Sequence, residues 1–134
     1  MLDTNIVIFL ATDYESLSDD VRAILQDYDN TFCISAETTR ELIVGYRKKS
    51  FSTKRWKNCE DLIISLSDFY HLDILPIDEH VAKVHARLDI KSDHKDPSDH
   101  VIIAHAIAAK IPLISSDEKF PFYTKQGLRL IYNE

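Results

Sequence analysis

Six carboxylates carry most of the chemistry that this chain of 134 residues can offer: Asp3, Glu37, Glu41, Asp96, Asp99 and Asp117. Asp3 directly follows Met1-Leu2, Asp117 follows the run Leu113-Ile114-Ser115-Ser116, and Asp96 and Asp99 open a helical stretch just before that run. Asp96 and Asp99 are three residues apart and share one helical face; Glu37 and Glu41, one turn apart, do the same. Where helices connect parallel strands, ligands gather outside the carboxyl ends of the strands. Acids converging there repel one another unless a cation sits among them. A partly open site of hard oxygen donors suits Mg²⁺ or Mn²⁺, which keep several waters and bind a substrate phosphate. Each acid also has a purely structural role open to it. Asp3 can cap a following helix, and Asp96 and Asp99 fit the N-cap and N3 positions of another. Asp117 can start a turn, and Glu37 and Glu41 can form an exposed stripe paired with nearby bases.

The elements that must place these acids alternate between strand and helix. Strands are expected at Thr31–Ser35, Leu72–Pro76 and Pro112–Ser115, all reading as buried, and at Leu128–Tyr132, which alternates like an edge. Helices are expected at Ser18–Asp27, Ala36–Lys49, Thr53–Ser67, Asp78–Leu88 and Asp96–Lys110. The last is marked by Asp96 as cap, Pro97 in the first turn and a run of alanines. Asn5–Leu10 is β-branched enough to be a strand, yet a short helix after a very short strand at Met1–Asp3 fits equally well. This alternation implies an α/β fold: a parallel central sheet with helices on both faces.

Length and composition agree with one domain spanning residues 1–134. Apolar residues make up 45% and charged residues 28%, which excludes a disordered or fibrous chain. No apolar run approaches the ~18 residues of a membrane span. Cys33 and Cys59 are too few for a disulfide framework, so a reduced, cytoplasmic protein is expected. The net charge of −6 argues against nonspecific nucleic-acid binding, but it hides an inversion. Arg40, Arg47, Lys48, Lys49, Lys54, Arg55 and Lys57 stand against Glu41 alone, giving +6 in that stretch and −12 elsewhere. That stretch is either the solvated face of a helical pair or a landing surface for a polyanion or acidic partner. Trp56 and Tyr46 interleave with it and are expected to pack between helices rather than stack on bases.

Other chemistries fit poorly. His80 and His85, and His100 and His105, are five residues apart, which turns each pair ~140° away from one another on a helix. Two glycines cannot build a phosphate-binding loop, and neither cysteine has neighbours that would activate it. A phosphoacceptor domain would need a lysine after its last strand, and none follows Leu128–Tyr132.

Four blocks in order resemble the PIN-domain nucleases, and especially the small VapC-type toxin ribonucleases. Leu2-Asp3-Thr4-Asn5 is similar to the family's opening motif, and Glu41-Leu42-Ile43-Val44-Gly45 to its Glu-Leu-x-x-Gly helix. Asp96-Pro97-Ser98-Asp99 through Ile103-Ala104-His105-Ala106 is similar to its most specific block, and Leu113 to Phe120 to its terminal strand and acid. The resemblance implies a three-layer α/β/α sandwich in which Asp3, Glu41, Asp99 and Asp117 form a catalytic, metal-binding pocket for Mg²⁺ or Mn²⁺. It implies Asp96 as a nearby fifth acid, with Asn5, Ser115 and Ser116 orienting the carboxylates or a metal-bound water. It further implies an RNA substrate, a cognate antitoxin, a homodimer, and the basic helical pair as the element that contacts them. A catalytically silent RNA- or protein-binding module is the alternative, disfavoured because all four matched acids are present. Only Met1 and Leu2 precede Asp3, so the first strand is expected to be a stub with the α-amino group about 7–10 Å from Asp3.

Overall fold

The computed structural model describes residues 1–134. Its helices are α1 (Thr4–Thr12), α2 (Asp19–Gln26), α3 (Ala36–Arg47), α4 (Cys59–Asp68), α5 (Glu79–Arg87) and α6 (Pro97–Ala109). Its strands are β1 (Phe32–Ser35), β2 (Leu72–Leu75), β3 (Leu113–Ser115) and β4 (Leu130–Tyr132), with 3₁₀ turns at Tyr14–Ser16 and Phe120–Gln126. β1 pairs in parallel with β2, and β3 in parallel with β4. Leu2 joins the two pairs. Its N–H donates to the Cys33 carbonyl, while it forms a parallel bridge to Ile114 that brings Asp3 N–H onto the Ile114 carbonyl at 2.9 Å. The sheet therefore runs β2–β1–Leu2–β3–β4.

Side chains alternate across this sheet with the period of two that extended backbone imposes. Leu2, Ile34 and Ile114 point into one core with Ile6, Val7, Val21, Leu42, Leu62 and Leu66 of α1 to α4. Met1, Cys33 and Leu113 point into the other, with Ile102, Ile103 and Ala106 of α6 and with Phe120 and Tyr123. Helices on both faces of a parallel sheet make the expected α/β/α layering. No helix is long and apolar enough to cross a membrane.

One open choice is decided and two expectations need correction. Of the two readings of the amino end, the short helix after a very short strand is the one found, because the Asp3 carboxylate accepts from Thr4 N–H and starts α1. β2 is an edge rather than a buried strand: it pairs only with β1, and Asp73 and Ile74 are exposed. The helix expected from Thr53 begins only at Cys59. Asn58 accepts from Asp61 N–H and caps it, and Trp56 turns inward ahead of the cap, donating from Nε1 to Ser65 Oγ at 2.8 Å. Trp56 is buried, edge-on to Tyr46 and Phe51, so these aromatics pack rather than wait for bases. Gly45 is what lets this segment fold back on α3. A Cβ there would lie 2.6 Å from Phe51 Cε1, so any side chain would push the ring away from Trp56.

Candidate metal centre

Each acid reaches the carboxyl edge of the sheet through a separate local rule. Asp3 follows the Leu2 bridge, and Asp117 lies two residues beyond the end of β3. Glu41 stands on α3, which Ser35 starts at the end of β1 by accepting from Glu37 N–H. Asp96 caps α6 by accepting from Ser98 N–H, with Pro97 at the first helical position and Asp99 in the first turn. The structural roles open to Asp3, Asp96 and Asp117 are thus real ones, Asp117 accepting from Lys119 N–H at 2.8 Å. They are also compatible with a site. A cap uses one carboxylate oxygen, and Asp96 and Asp117 each keep a second that takes no protein hydrogen bond.

The acids converge. Glu41, Asp96 and Asp99 each present an oxygen within 4.8 Å of the other two, and Asp99 and Asp117 do so together with His94. Asp3 lies deepest, 3% exposed. Its Oδ2 accepts from Ser115 Oγ at 2.7 Å, and the same serine oxygen accepts from Asp117 N–H at 3.1 Å. Glu41 Oε1 accepts from Thr4 Oγ1 at 2.6 Å.

Electrostatics report the crowding. Burial, followed by the charges of Asp96, Asp117 and Glu41, pushes the Asp99 pKa up to about 7. Burial and the charges of Asp99 and Asp117 raise Asp3 to about 6, against the Ser115 hydrogen bond that favours its charged form. Glu41 is raised as well, by burial and then by Asp3 and Asp96, with Thr4 opposing. The nearby bases are engaged elsewhere. Arg40 pairs with Glu37, whose pKa stays low despite partial burial because Arg40 and Ser98 donate to it, and Lys119 Nζ donates to the Asp93 carbonyl. A cluster of acids with no committed counter-charge, supplying oxygen donors at an open edge, fits a hard divalent cation.

The residues expected to orient these acids divide. Ser115 does so. Asn5 is exposed and donates no side-chain hydrogen bond, and Ser116 donates none to an acid. Thr4 takes the place foreseen for Asn5, because at the start of α1 its side chain faces Glu41 and Thr38. The sequence reading passed over Thr4, Ser98, His94 and Tyr123. The last two join the site through the contacts His94 Nε2 to Asp99 Oδ2, 2.9 Å, and His94 Nδ1 to Tyr123 Oη, 2.8 Å. Thr4 inside Leu2-Asp3-Thr4-Asn5 and Ser98 inside Asp96-Pro97-Ser98-Asp99 offered a signal, and His94 and Tyr123 offered none.

The basic stretch divides too. Arg40 is tied to Glu37 and Ser98 beside the acids, and Arg55 lies over the Phe69 ring at 4.0 Å and donates to Tyr70. Arg47, Lys48, Lys49, Lys54 and Lys57 are exposed. Arg40, Glu41, Val44, Lys48, Ser50 and Ser98 line one open groove, so Arg40 and Lys48 form a basic rim beside Glu41.

The family model described as PIN domain matches residues 1–125. No curated sequence relative matches the chain. Among solved structures it is similar to VapBC2 from Rickettsia felis bound to a fragment of promoter DNA, at 24% identity and a TM-score of 0.69, covering 100% of this chain and 98% of that one. It is also similar to DNA-bound VapBC from Salmonella typhimurium, at 24% identity and a TM-score of 0.68, covering 98% and 96%. VapBC-5 from Mycobacterium tuberculosis, a member of a family of toxin–antitoxin systems, matches at 24% identity and a TM-score of 0.60, covering 98% and 95%. These likenesses show a shared fold.

Proposed function

Because this chain belongs to the PIN-domain family, we propose that it is a divalent-metal-dependent endoribonuclease of the VapC type, the toxin of a toxin–antitoxin pair acting in the cytoplasm. The observation that carries this reading is the convergence of Asp3, Glu41, Asp99 and Asp117 on one sheet edge, with no lysine or arginine paired with them. Asp3, Asp99 and Asp117 are the cation's ligands, directly or through water, and Glu41 is a ligand or the base that orients the attacking water. Bound Mg²⁺ or Mn²⁺ supplies an activated water and neutralises charge at the phosphodiester. The chain's own contribution is positional. Ser115 holds Asp3 and the Asp117 backbone in one register, Thr4 holds Glu41, and the Asp96 cap fixes the first turn that carries Asp99. Toxin–antitoxin relatives of the same fold support an antitoxin partner, and exposed Val44, Ile64 and Phe69 on and beside α3 and α4 offer apolar surface for it or for a second copy.

The direct test is cleavage of a structured RNA by purified protein. Hydrolysis should require Mg²⁺ or Mn²⁺, stop on addition of EDTA and return when the metal is restored. Cleavage that continues in EDTA would remove the metal mechanism.

The basic rim makes a separate prediction. Reversing Arg47, Lys48 and Lys49 to glutamate should weaken RNA or antitoxin binding severalfold at low salt, with the fold intact because all three are exposed and the melting temperature lowered only by the unfavourable charges at the carboxyl end of α3. Filter binding across a salt series measures it. Unaltered affinity for both ligands would leave the rim as solvated surface.

A further inference from the structure

His94 lies in the loop before α6 and is only 3% exposed. Three rings enclose its imidazole: His100 edge-on at 4.7 Å between centroids, Tyr123 at 5.5 Å and Phe120 at 5.9 Å. Its backbone is fixed as well, donating to the Lys91 carbonyl and accepting from His100 Nε2 at 2.8 Å. Both ring nitrogens are engaged, Nε2 with Asp99 Oδ2 and Nδ1 with Tyr123 Oη. The tyrosine oxygen also accepts from Lys91 N–H at 3.2 Å.

Donor accounting gives this chain a direction. An ionised Asp99 can only accept, so His94 Nε2 must carry the proton. In a neutral imidazole Nδ1 is then an acceptor, satisfied by the Tyr123 hydroxyl as donor. That hydroxyl accepts in turn from Lys91 N–H. Every group is used, and the tautomer that points a proton at an ionised Asp99 is one whose Nδ1 the Tyr123 hydroxyl satisfies as donor.

We propose that His94, oriented by Tyr123, is the positioning residue for Asp99: it occupies Oδ2 and leaves Oδ1 for the cation. This rests on the nuclease reading above, in which Asp99 is a ligand. The ring nitrogen lies close enough to Asp99 and Asp117 to be a ligand itself, but its proton and its hydrogen bond to Oδ2 assign it to the carboxylate. A partner that donates to a ligating group from the far side sets that group's orientation, and removing such a partner typically lowers metal affinity about 10–100-fold.

The test uses the full chain and Mn²⁺ or Mg²⁺ alone. In the wild type at pH 8 with Mg²⁺, the ¹⁵N shifts of His94 should show Nδ1 unprotonated and Nε2 protonated, a readout that needs no variant. Mn²⁺ affinity, titrated by electron paramagnetic resonance, should fall about 10–100-fold in His94→Phe. It should recover partly in His94→Gln, which keeps an N–H near the Nε2 position. It should fall less in Tyr123→Phe, which preserves the ring packing. The proposal is overturned by a protonated Nδ1, by nitrogen bound directly to Mn²⁺ in pulsed resonance spectra, or by wild-type affinity in His94→Phe. Failure of the nuclease reading looks different: Asp99→Asn would then bind Mn²⁺ like the wild type, whereas failure of this inference alone leaves Asp99→Asn impaired and His94→Phe normal.

Discussion

Asp99→Asn is expected to lower RNA cleavage at saturating Mn²⁺ by about 100-fold or more, since losing a ligand should exceed the 10–100-fold typical of losing a ligand's support. The substitution is nearly isosteric. An asparagine oxygen can still accept from His94 Nε2, and the first turn of α6 keeps its Asp96 cap. What disappears is one negative charge among Asp3, Glu41, Asp96 and Asp117. A loss of activity with the fold intact therefore isolates the charge. Single-turnover cleavage of a labelled RNA measures it, and a rate within about threefold of the wild type would take Asp99 out of the chemistry.

The same variant should behave oppositely in stability. Without metal at pH 8, Asp99→Asn should melt above the wild type, by roughly 5–10 °C. The sign follows from proton linkage. Burial and neighbouring acids raise Asp99 from 3.8 to about 7 in the folded protein, so between those values the folded state holds a proton that the unfolded state has released. Stability contributed by the protonated form is present at low pH and is lost as pH rises through about 7. A shift of that size corresponds to at most about 4 kcal/mol. Losing the charge-assisted bond to His94 and the helix-dipole interaction returns about 2 kcal/mol of that. The remainder, at several degrees per kcal/mol for a domain of this length, gives the stated range. His94 and His105, whose pKa values are lowered chiefly by burial, push stability the other way between their folded values and 6.5. Comparing the variant with the wild type cancels most of that contribution. The gap should close towards pH 5, where Asp99 is protonated, and reverse in millimolar Mg²⁺ or Mn²⁺, because the wild type gains more from binding the ion. Melts at pH 5 and pH 8, with EDTA and with metal, decide it. A variant that is never more stable than the wild type would show that the acids do not strain the metal-free fold.

What could be read in the sequence and what could not divide along a physical line. Most of the acids were legible because they sit at boundaries that sequence marks locally: the end of a β-rich run for Asp117, a cap position for Asp3, and a Pro-marked helix start for Asp96 and Asp99, with Glu41 one turn into a Ser-capped helix. Their convergence followed from the strand–helix alternation and the four motif blocks. Ser115 was legible for the same reason. That Thr4 rather than Asn5 contacts Glu41 was not legible, because which side chain of the first turn of α1 faces Glu41 depends on a helical rotation that Asp3 sets by capping at Thr4 N–H. His94 and Tyr123 had no local mark at all. They lie 29 residues apart and meet only because the 3₁₀ turn at Phe120–Gln126 folds back under the loop before α6. The edge position of β2 and the late start of α4 were missed through burial and capping that only the packed structure shows.

Leu2 is the one residue that bridges the two strand pairs, and Asp3 is its neighbour. The keystone of the sheet and the deepest acid of the site therefore move as one body. Leu2 holds β1 through one backbone hydrogen bond, to Cys33, whereas Met1 and Asp3 hold β3 through Ile114 and Pro112, so a breathing motion that parts β1 from this stub carries Glu41 on α3 away from Thr4 and Asp3 and opens the acid cluster in the same event. An ion that binds only the assembled cluster then acts as a rivet across the sheet, making separation rarer in proportion to its occupancy. In such an architecture loading the site and locking the scaffold are a single cooperative act, and a metal-starved molecule is a looser one.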